Sequence, residues 1–396
     1  MSRVARLEDL GNLAGQRVFA RVEFNVPIAD GRVTDDTRLR EALPTLEELL
    51  AAGARVACAA HLGRPKGQVN PKYSLKPAAD RLAELLGVPV AFATDCVGPE
   101  AERVVNALPN GGIAVLENLR FHAGEEANDP AFADALARLA EVYVDDAFGA
   151  AHRAHASVVG VPARLGRKAA GRLLLREVEA LGALLGAPAR PFAAILGGAK
   201  IEGKIDTLMN LLPRLDEVMV GGGMANTFLA AQGHELAASL VERDRLEMAR
   251  TILATAAEKG VRVLLPADLV VTDSLDNPQR IETVAVSGVP AGTMAVDVGP
   301  ETSAAFAAAV AGAATLFWNG PLGVFEKPPF DAGTRAVAEA LASSTGFTVL
   351  GGGETVAAAH QAGVAERVSH VSTGGGASLE FLAGRALPGV VALEVA

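Results

Sequence analysis

Two lysines four residues apart, Lys200 and Lys204, are the first candidates for chemistry. They stand in GGAKIEGKI, directly after the apolar run FAAIL. Gly198, Gly203 and Lys204 have P-loop spacing, but Ile205 replaces the Ser or Thr that would hold Mg²⁺. Because the chain has 42 glycines in 396 residues, the spacing is a coincidence, and we reject the P-loop. The pattern predicts both lysines on one face at a helix start, where an anion is favoured; solvated lysines are an equally open alternative.

Arginines and histidines of the first half form a second candidate group. They stand in or just after predicted strands, in RVEFNVP, HLGRPKG, LENLRFH and AAHRAH. Guanidinium forks suit carboxylate and phosphate oxygens, so we expect a small polyanion to bind. Each residue alone is more simply a solvated surface charge, and a metal pair in HRAH lacks a spaced partner. The group comprises Arg38, His61, Arg64, Arg120, His152 and Arg153.

The elements that must position these residues follow a βαβ pattern. Short β-branched apolar runs alternate with longer segments of helical periodicity, which indicates parallel sheets flanked by helices. In the second half the runs lead into LGGAK, VGGGMA, LGGGETV and STGGGAS. Glycines at strand ends let backbone N–H groups approach phosphate, so these loops predict a nucleotide site, although any one of them can simply end a strand. We predict an α/β fold of two similar-sized lobes, each a parallel sheet flanked by helices, joined by a hinge helix.

Composition and charge narrow the function classes. Half the residues are hydrophobic, only 4% are aromatic, and the net charge is −10. The negative charge disfavours a sequence-independent nucleic-acid binder, and no run approaches the length of a membrane span. With two cysteines, Cys58 and Cys96, a disulfide framework is disfavoured. We therefore expect a cytoplasmic, soluble protein without nucleic-acid or membrane partners.

Taken together, the motifs resemble the phosphoglycerate kinase family from about residue 17 to the C-terminus. The stretches that carry the resemblance are FNVP, HLGRPKG, YSLKP, LENLRFH, DAFG, AHRAHAS, LGGAK, GGGMA, FWNGPLGVFE and HVSTGGGASLE. The resemblance implies reversible phosphoryl transfer between 1,3-bisphosphoglycerate and ADP, giving 3-phosphoglycerate and ATP, in glycolysis and gluconeogenesis. It also implies Mg²⁺ as cofactor, small-molecule substrates, a monomer, and lobes that close around the substrates.

The family pattern also implies a domain layout and site residues. The expected parts are an N-terminal phosphoglycerate-binding domain (1–168), an interdomain helix (169–185), a C-terminal nucleotide-binding domain (186–378) and a segment returning to the N-terminal domain (379–396). Phosphoglycerate contacts are implied for Glu23, Asn25, Arg38, His61, Arg64, Arg120 and Arg153. Nucleotide contacts are implied for Lys200, Lys204, Asn319, Pro321, Glu326, Gly351, Gly352, Gly353, Glu354 and Thr355, with Glu354 also on the metal. Catalytic positions are implied for Arg38, Lys200, Gly352 and Gly375.

The sequence departs from the family pattern at several positions. Glu23 and Glu354 stand where the family usually has Asp, which keeps the charge but lengthens the side chain by one methylene. Gly203 stands where an acidic residue usually precedes the second lysine, and inside a helix it would loosen the turn. Asp145 in place of Asn is a smaller change. One competing function is a non-catalytic hinged two-lobe protein that binds a nucleotide or anion. The other is a dehydrogenase, but this sequence lacks the G-x-G-x-x-G motif that a dehydrogenase would need.

Overall fold

The structure, a computed structural model, describes residues 3–395. These divide into two compact units, the first formed by residues 3–179 with 386–395 and the second by 180–385. The structure divides after residues 179 and 385, whereas the expected domain limits lay after residues 185 and 378, six and seven residues away. Each unit is built on its own parallel sheet, so the predicted α/β class with two sheets is confirmed.

Unit 1 is built on a six-stranded parallel sheet of order β6-β7-β5-β2-β8-β9. Its strands are β1 (Arg3–Val4), β2 (Arg17–Val22), β3 (Ile28–Ala29), β4 (Arg32–Val33), β5 (Arg55–Ala59), β6 (Val90–Ala93), β7 (Ile113–Leu116), β8 (Val142–Asp146) and β9 (Arg167–Ala170). Its helices are α1 (Thr37–Ala51), α2 (Lys76–Leu86), α3 (Gly98–Asn106), α4 (Ala123–Glu126) and α5 (Pro130–Ala137), followed by α6 (Arg172–Leu185), in which the two units divide.

Unit 2 is built on a second six-stranded parallel sheet, of order β12-β11-β10-β16-β17-β18. Its strands are β10 (Phe192–Leu196), β11 (Glu217–Val220), β12 (Arg262–Leu264), β13 (Asp268–Thr272), β14 (Ile281–Ala285), β15 (Met294–Val298), β16 (Thr315–Asn319), β17 (Phe347–Leu350) and β18 (His370–Val371). Its helices are α7 (Ile205–Leu211), α8 (Gly222–Ala231), α9 (Leu246–Glu258), α10 (Pro300–Gly312), α11 (Ala332–Ser343), α12 (Gly353–Gln361) and α13 (Gly376–Leu382). The chain ends with α14 (Pro388–Val391) and β19 (Glu394–Val395).

The central strands are buried on both faces, which explains their continuous apolar runs. Every residue of β7, β8, β10 and β16 is buried. Parallel sheets require this cover, because crossover helices pack on both sides. In such sheets ligands bind outside the carboxyl ends of the strands.

One feature lies outside the predicted pattern. Strands β14, β13 and β15 form a separate antiparallel sheet in unit 2, with a register shift between Val270 and Val271. At the other end of the chain, β19 pairs antiparallel with β1, so the C-terminal segment belongs to unit 1. Among residues 3–395, the helices all fall short of the length and apolar character that spanning a bilayer requires.

The start of helix α6 depends on a buried carboxylate. Oδ1 of Asp146 accepts hydrogen bonds from the backbone N–H groups of Leu173 (2.8 Å) and Leu174 (3.2 Å), which have no partner within the helix. Gly171 lies so close that a Cβ there would come within 2.2 Å of the same oxygen. Glycine is therefore needed at residue 171 for the cap to form.

Two alanine substitutions in this region should change stability in opposite directions. Gly182 lies inside α6, and no side chain or neighbouring element comes within 4 Å of the place that a Cβ would take, so Gly182→Ala should stabilise the protein by about 0.5–1 kcal/mol. Gly171→Ala must displace the Asp146 carboxylate and should destabilise it by about 1–3 kcal/mol. Urea unfolding followed by circular dichroism measures both, and equal stability of the two variants would contradict the capping role.

Candidate functional site

The basic residues of unit 1 gather because their strands are neighbours. Asn25 follows β2, His61 follows β5, Arg120 follows β7 and Arg153 follows β8, and these four strands are adjacent in the order β7-β5-β2-β8. In a parallel sheet their carboxyl ends meet at one edge. Arg38 joins them from the start of helix α1.

Arg38 is anchored by one nitrogen and remains partly open to solvent. Its Nη1 donates to the backbone oxygen of Asn25 at 2.5 Å and lies 3.7 Å from Oε1 of Glu23. The Arg38 side chain is 39% exposed, whereas that of Glu23 is 8% exposed. The side-chain oxygen of Asn25 accepts from the N–H of Gly63 at 3.0 Å, so Asn25 also fixes the loop after β5.

Arg120 is buried and holds the same loop, whereas two other arginines are exposed. Nη1 of Arg120 donates to the Gly63 oxygen at 2.9 Å, and its Nε lies 3.2 Å from Glu126, close enough for an ion pair but misaligned for a hydrogen bond. Burial lowers the pKa of Arg120, which stays far above neutrality as a guanidinium must. Arg64 and Arg153 are exposed.

His61 is held as a neutral donor by a buried arginine. Its Nδ1 lies 2.9 Å from Nη2 of Arg21, and a guanidinium can only donate, so Nδ1 must accept and the ring proton sits on Nε2. Burial, followed by the charges of Arg21 and Arg120, keeps the pKa of His61 well below its usual value. The imidazole therefore offers an N–H donor across the physiological pH range.

Sequence reasoning missed the buried network behind His61. Arg21 donates from Nε to the Ser157 hydroxyl at 3.0 Å, and that hydroxyl donates to Glu125 Oε1 at 2.5 Å. Glu125 is fully buried, and burial raises its pKa although Arg21 opposes the rise. The one available signal was a charged residue at the centre of the apolar run VFARV, which marks Arg21 as paired.

In unit 2, the predicted helical position of the two lysines is wrong. Helix α7 begins at Ile205, so Lys200 and Lys204 both precede it. Gly203 adopts φ = +83° in this turn, a conformation that favours glycine, so it does not loosen a helix as predicted. Lys200 is exposed.

Lys204 points inward, toward backbone carbonyl groups. Its Nζ donates to the oxygen of Gly197 and, at 3.2 Å, to that of Asn319. Burial lowers the pKa of Lys204 to about 8, and the carboxylate of Glu354 opposes this shift. Lys204 is thus a partly buried amine beside the loop of Gly197 and Gly198, and it loses its proton near pH 8.

A cavity of about 280 Å³ in unit 2 brings several of the predicted nucleotide residues together. Its walls include apolar side chains, among them Leu269, Met294 and Val324, together with the glycines at the start of α8. Pro321, Glu326 and Glu354 also line it. An apolar slot with carboxylates on its lining suits a flat heteroaromatic base attached to a polar group.

The glycine loops have two different purposes. A Cβ at Gly197 would lie 2.1 Å from the Pro321 oxygen, and one at Gly222 would lie 2.7 Å from the Gly198 oxygen, so these glycines allow backbones to pack closely. Gly353, at the start of α12, and Gly375, which precedes α13 with φ = +54°, have no atom within 4 Å of a Cβ position. Of these glycines, only Gly353 and Gly375 leave room for a ligand.

Three other predicted residues stabilise the strand ends. The amide of Asn319 donates to the Gly351 oxygen at 2.8 Å, and the Thr355 hydroxyl accepts from the N–H of Gly320 at 2.6 Å. Both side chains are buried. Gly352 has φ = +92°, and a Cβ there would lie 2.8 Å from Nδ2 of Asn319, so glycine is required.

Comparison with known proteins is consistent across sequence and structure. The family model for phosphoglycerate kinase matches residues 7–385. Proteins named phosphoglycerate kinase from Moorella thermoacetica and Desulforudis audaxviator are 56% and 55% identical, covering 98% and 97% of this chain and of their own lengths. The solved phosphoglycerate kinase of Coxiella burnetii is 41% identical with a TM-score of 0.90 and 99% coverage of both chains. That of Pyrococcus horikoshii OT3 is 33% identical with a TM-score of 0.85 and 98% coverage of both. The chain therefore belongs to the phosphoglycerate kinase family.

Proposed function

We propose that the protein catalyses reversible phosphoryl transfer between 1,3-bisphosphoglycerate and ADP, giving 3-phosphoglycerate and ATP. The observation that carries the proposal is the convergence of Arg38, His61, Arg120 and Arg153 at one sheet edge of unit 1. Such a cluster matches an acceptor that carries both a carboxylate and a phosphate. A cavity suited to a nucleotide base lies in unit 2, within the same chain.

The acceptor would be held by hydrogen-bond donors of unit 1, of which His61 is fixed in advance by Arg21. His61 offers its Nε2 proton, while Arg64 and Arg153 present exposed guanidinium groups to the phosphate or carboxylate oxygens. Asn25 and Arg120 position the loop of Gly63 from either side. Glu23, buried beside Arg38, is the last of the proposed phosphoglycerate-binding residues, and its carboxylate would accept a hydrogen bond from a substrate hydroxyl.

The chemistry requires alignment and charge stabilisation and needs no general base. In the ATP-consuming direction the nucleophile is a carboxylate, which is already ionised at neutral pH. The transferred group passes through a loose transition state whose charge is spread over its oxygens. Arg38 and the exposed Lys200 are the cations we assign to that charge, since both retain free N–H donors.

The nucleotide is proposed to bind along the cavity of unit 2. Its base lies in the apolar slot, Glu326 accepts from the ribose hydroxyls, and Pro321 forms part of the wall. The N–H groups at the start of α12, with Gly351 to Gly353, would face the phosphates, because a helix N-terminus favours anions. Lys204, whose amine donates to the Gly197 and Asn319 oxygens, would turn an N–H toward the phosphates when the nucleotide binds. The buried side chains of Asn319 and Thr355 hold these loops through hydrogen bonds to Gly351 and Gly320. Gly375, just before α13, leaves open space at the start of that helix.

Mg²⁺ fits the donors that this region offers. Glu354 is exposed, lines the cavity and lies in the first turn of α12. A single carboxylate together with substrate phosphates is a usual Mg²⁺ set. Glu354 would hold the ion, which would neutralise the developing negative charge on the phosphates.

A non-catalytic nucleotide-binding or anion-binding protein is the competing function. The family to which the chain belongs, with relatives named phosphoglycerate kinase at 55–56% identity, favours the kinase over this alternative. Both cysteines are free and buried, which agrees with a reducing compartment, and we place the protein in the cytoplasm as a monomer acting on small molecules.

The direct test is the initial rate of ADP formation from MgATP and 3-phosphoglycerate, with the acyl phosphate removed by a coupled reductive step. Turnover that requires 3-phosphoglycerate is expected. If calorimetry shows both ligands bound while no ADP forms, the binding-protein alternative replaces the kinase.

Removing Arg38 should lower kcat by about 10²-fold or more with a smaller rise in KM, because its contact strengthens in the transition state. Arg40 is the matched control: it lies on the same helix, is exposed and pairs with Asp36. Steady-state kinetics of Arg38→Ala and Arg40→Ala should differ mainly in kcat. A change confined to KM would remove Arg38 from the chemical step.

Nucleotide affinity should fall as the pH rises through about 8, because the Lys204 ammonium is lost near that pH. Below pH 8 the charged amine binds phosphate, whereas above it the affinity for ADP should decline by up to about tenfold per pH unit. Calorimetric titrations between pH 6.5 and 9.5 should show this decline in the wild type and a weaker, flat profile in Lys204→Met. Parallel profiles for the two proteins would contradict the assignment.

A further inference from the structure

A second cluster of reactive side chains lies at the edge of the unit 1 sheet, among residues that the proposed reaction does not use. Asp95 and Cys96 follow the edge strand β6, and His122 lies in the segment that follows β7. These strands pair in parallel, with Ala93 opposite Leu116, so their carboxyl ends bring the three residues together. One ligand atom from each lies within 4.8 Å of the other two.

The Cys96 thiol is the least explained member of this cluster. Cys96 is 1% exposed and forms no disulfide. Burial raises the pKa of its thiol, and the nearby carboxylates of Asp95, Glu125 and Glu117 raise it further. An electronegative surrounding opposes a free thiolate but favours a bound cation.

His122 and Asp95 are already oriented toward each other. The His122 Nε2 lies 2.7 Å from Asp95 Oδ1, and the imidazole stacks on Phe132 with ring centroids 5.1 Å apart. Phe132 is itself held through its backbone N–H, which donates to Asp129 at 2.8 Å. The Asp95 oxygen also accepts from the N–H of Cys96 at 2.6 Å, which fixes the loop.

We propose that Asp95, Cys96 and His122 form a binding site for one Zn²⁺ ion. Sulfur, imidazole nitrogen and carboxylate oxygen are the three ligand types that Zn²⁺ takes in proteins, whereas Mg²⁺ and Ca²⁺ prefer oxygen alone. Three protein ligands leave a fourth position for water. The side chains of Asp95 and His122 are 46% and 34% exposed, which gives the ion a path to the buried sulfur.

All three ligand atoms must shift to accept the ion: the sulfur, which lies within 4.8 Å of the other two, must approach to about 3.6 Å, whereas the nitrogen and oxygen must separate. Tetrahedral Zn²⁺ with bonds of ~2.0–2.2 Å to nitrogen and oxygen separates those two atoms by about 3.3 Å. The His122–Asp95 pair at 2.7 Å must therefore open by about 0.6 Å, as a proton gives way to a metal. The Cys96 proton is released at the same time, because the thiolate is the ligand.

Binding would link two adjacent segments of the sheet edge. The ion would tie the loop between β6 and α3 to the segment after β7, which the sheet alone joins only through β6–β7 pairing. Because a ligand that binds only the folded state stabilises it, Zn²⁺ should raise the melting temperature of the protein. This effect is independent of catalysis.

The test uses the full-length, untagged protein, freed of metal with a chelator and titrated with Zn²⁺ against a competing chromophoric chelator. One Zn²⁺ per chain is expected, with affinity reduced more than about tenfold in Cys96→Ala and in His122→Gln. Matched controls are Cys58→Ala, in strand β5, and His360→Gln, an exposed histidine at the end of α12. Both controls should bind as the wild type does, and millimolar Mg²⁺ should not compete.

Cobalt supplies a second, spectroscopic readout, whose first result comes from the wild-type protein. Co²⁺ added to the wild-type protein should produce a thiolate-to-cobalt charge-transfer band in the near ultraviolet, which persists in Cys58→Ala and disappears in Cys96→Ala. Absence of Zn²⁺ binding, binding without this band, or equal binding by the Cys96 and Cys58 variants would each overturn the proposal and leave an Asp–His pair covering an inert thiol.

Discussion

The site of unit 1 depends on one buried charge, the guanidinium of Arg21. Arg21 is 1% exposed, and burying an unpaired charge would cost far more than folding could supply. The structure compensates it with the backbone oxygen of Val22, the Ser157 hydroxyl and the ring of His61, with the Glu125 carboxylate behind the serine. These contacts fix the His61 tautomer. His61 therefore presents an Nε2–H donor whose orientation Arg21 sets before any substrate binds.

Unit 2 reaches the same rigidity by close packing of backbone instead of buried charge. Gly197 and Gly222 bring the loops after β10 and β11 against the turn at Gly320 and Pro321, where any side chain would collide with a carbonyl oxygen. The carbonyl oxygens that result turn inward and hold the Lys204 amine. One lobe therefore preorganises side-chain donors and the other preorganises backbone, in keeping with the different demands of a small branched anion and a long nucleotide.

How far the sequence could predict this structure depends on the range of each interaction. Local apolar runs identified the parallel strands, and strand adjacency then brought His61, Arg120 and Arg153 together, because carboxyl ends of parallel strands share an edge. The network of Arg21, Ser157 and Glu125 joins residues that are far apart in the chain, and no local pattern reveals which partner a buried charge selects. The helix predicted to begin at the lysines starts later, at Ile205, because Gly203 at φ = +83° holds a turn just before it. The antiparallel sheet of β13 to β15 was likewise hidden, since apolar and polar residues alternate only weakly along its strands.

The two glutamates that replace the family's usual aspartates occupy different surroundings, and this difference sets how each extra methylene is accommodated. Glu23 is buried beside Arg38, so its longer side chain is confined by packing and its carboxylate position is fixed by the surrounding structure. Glu354 is exposed at the first turn of α12, where its carboxylate can move by rotation about its own bonds. In the Mg²⁺ site proposed above, such a flexible carboxylate would still meet the octahedral demand of the ion, because substrate phosphates and water would complete the shell. The greater constraint therefore falls on Glu23, where the extra length must be absorbed by the loop that we propose to bind the phosphoglycerate.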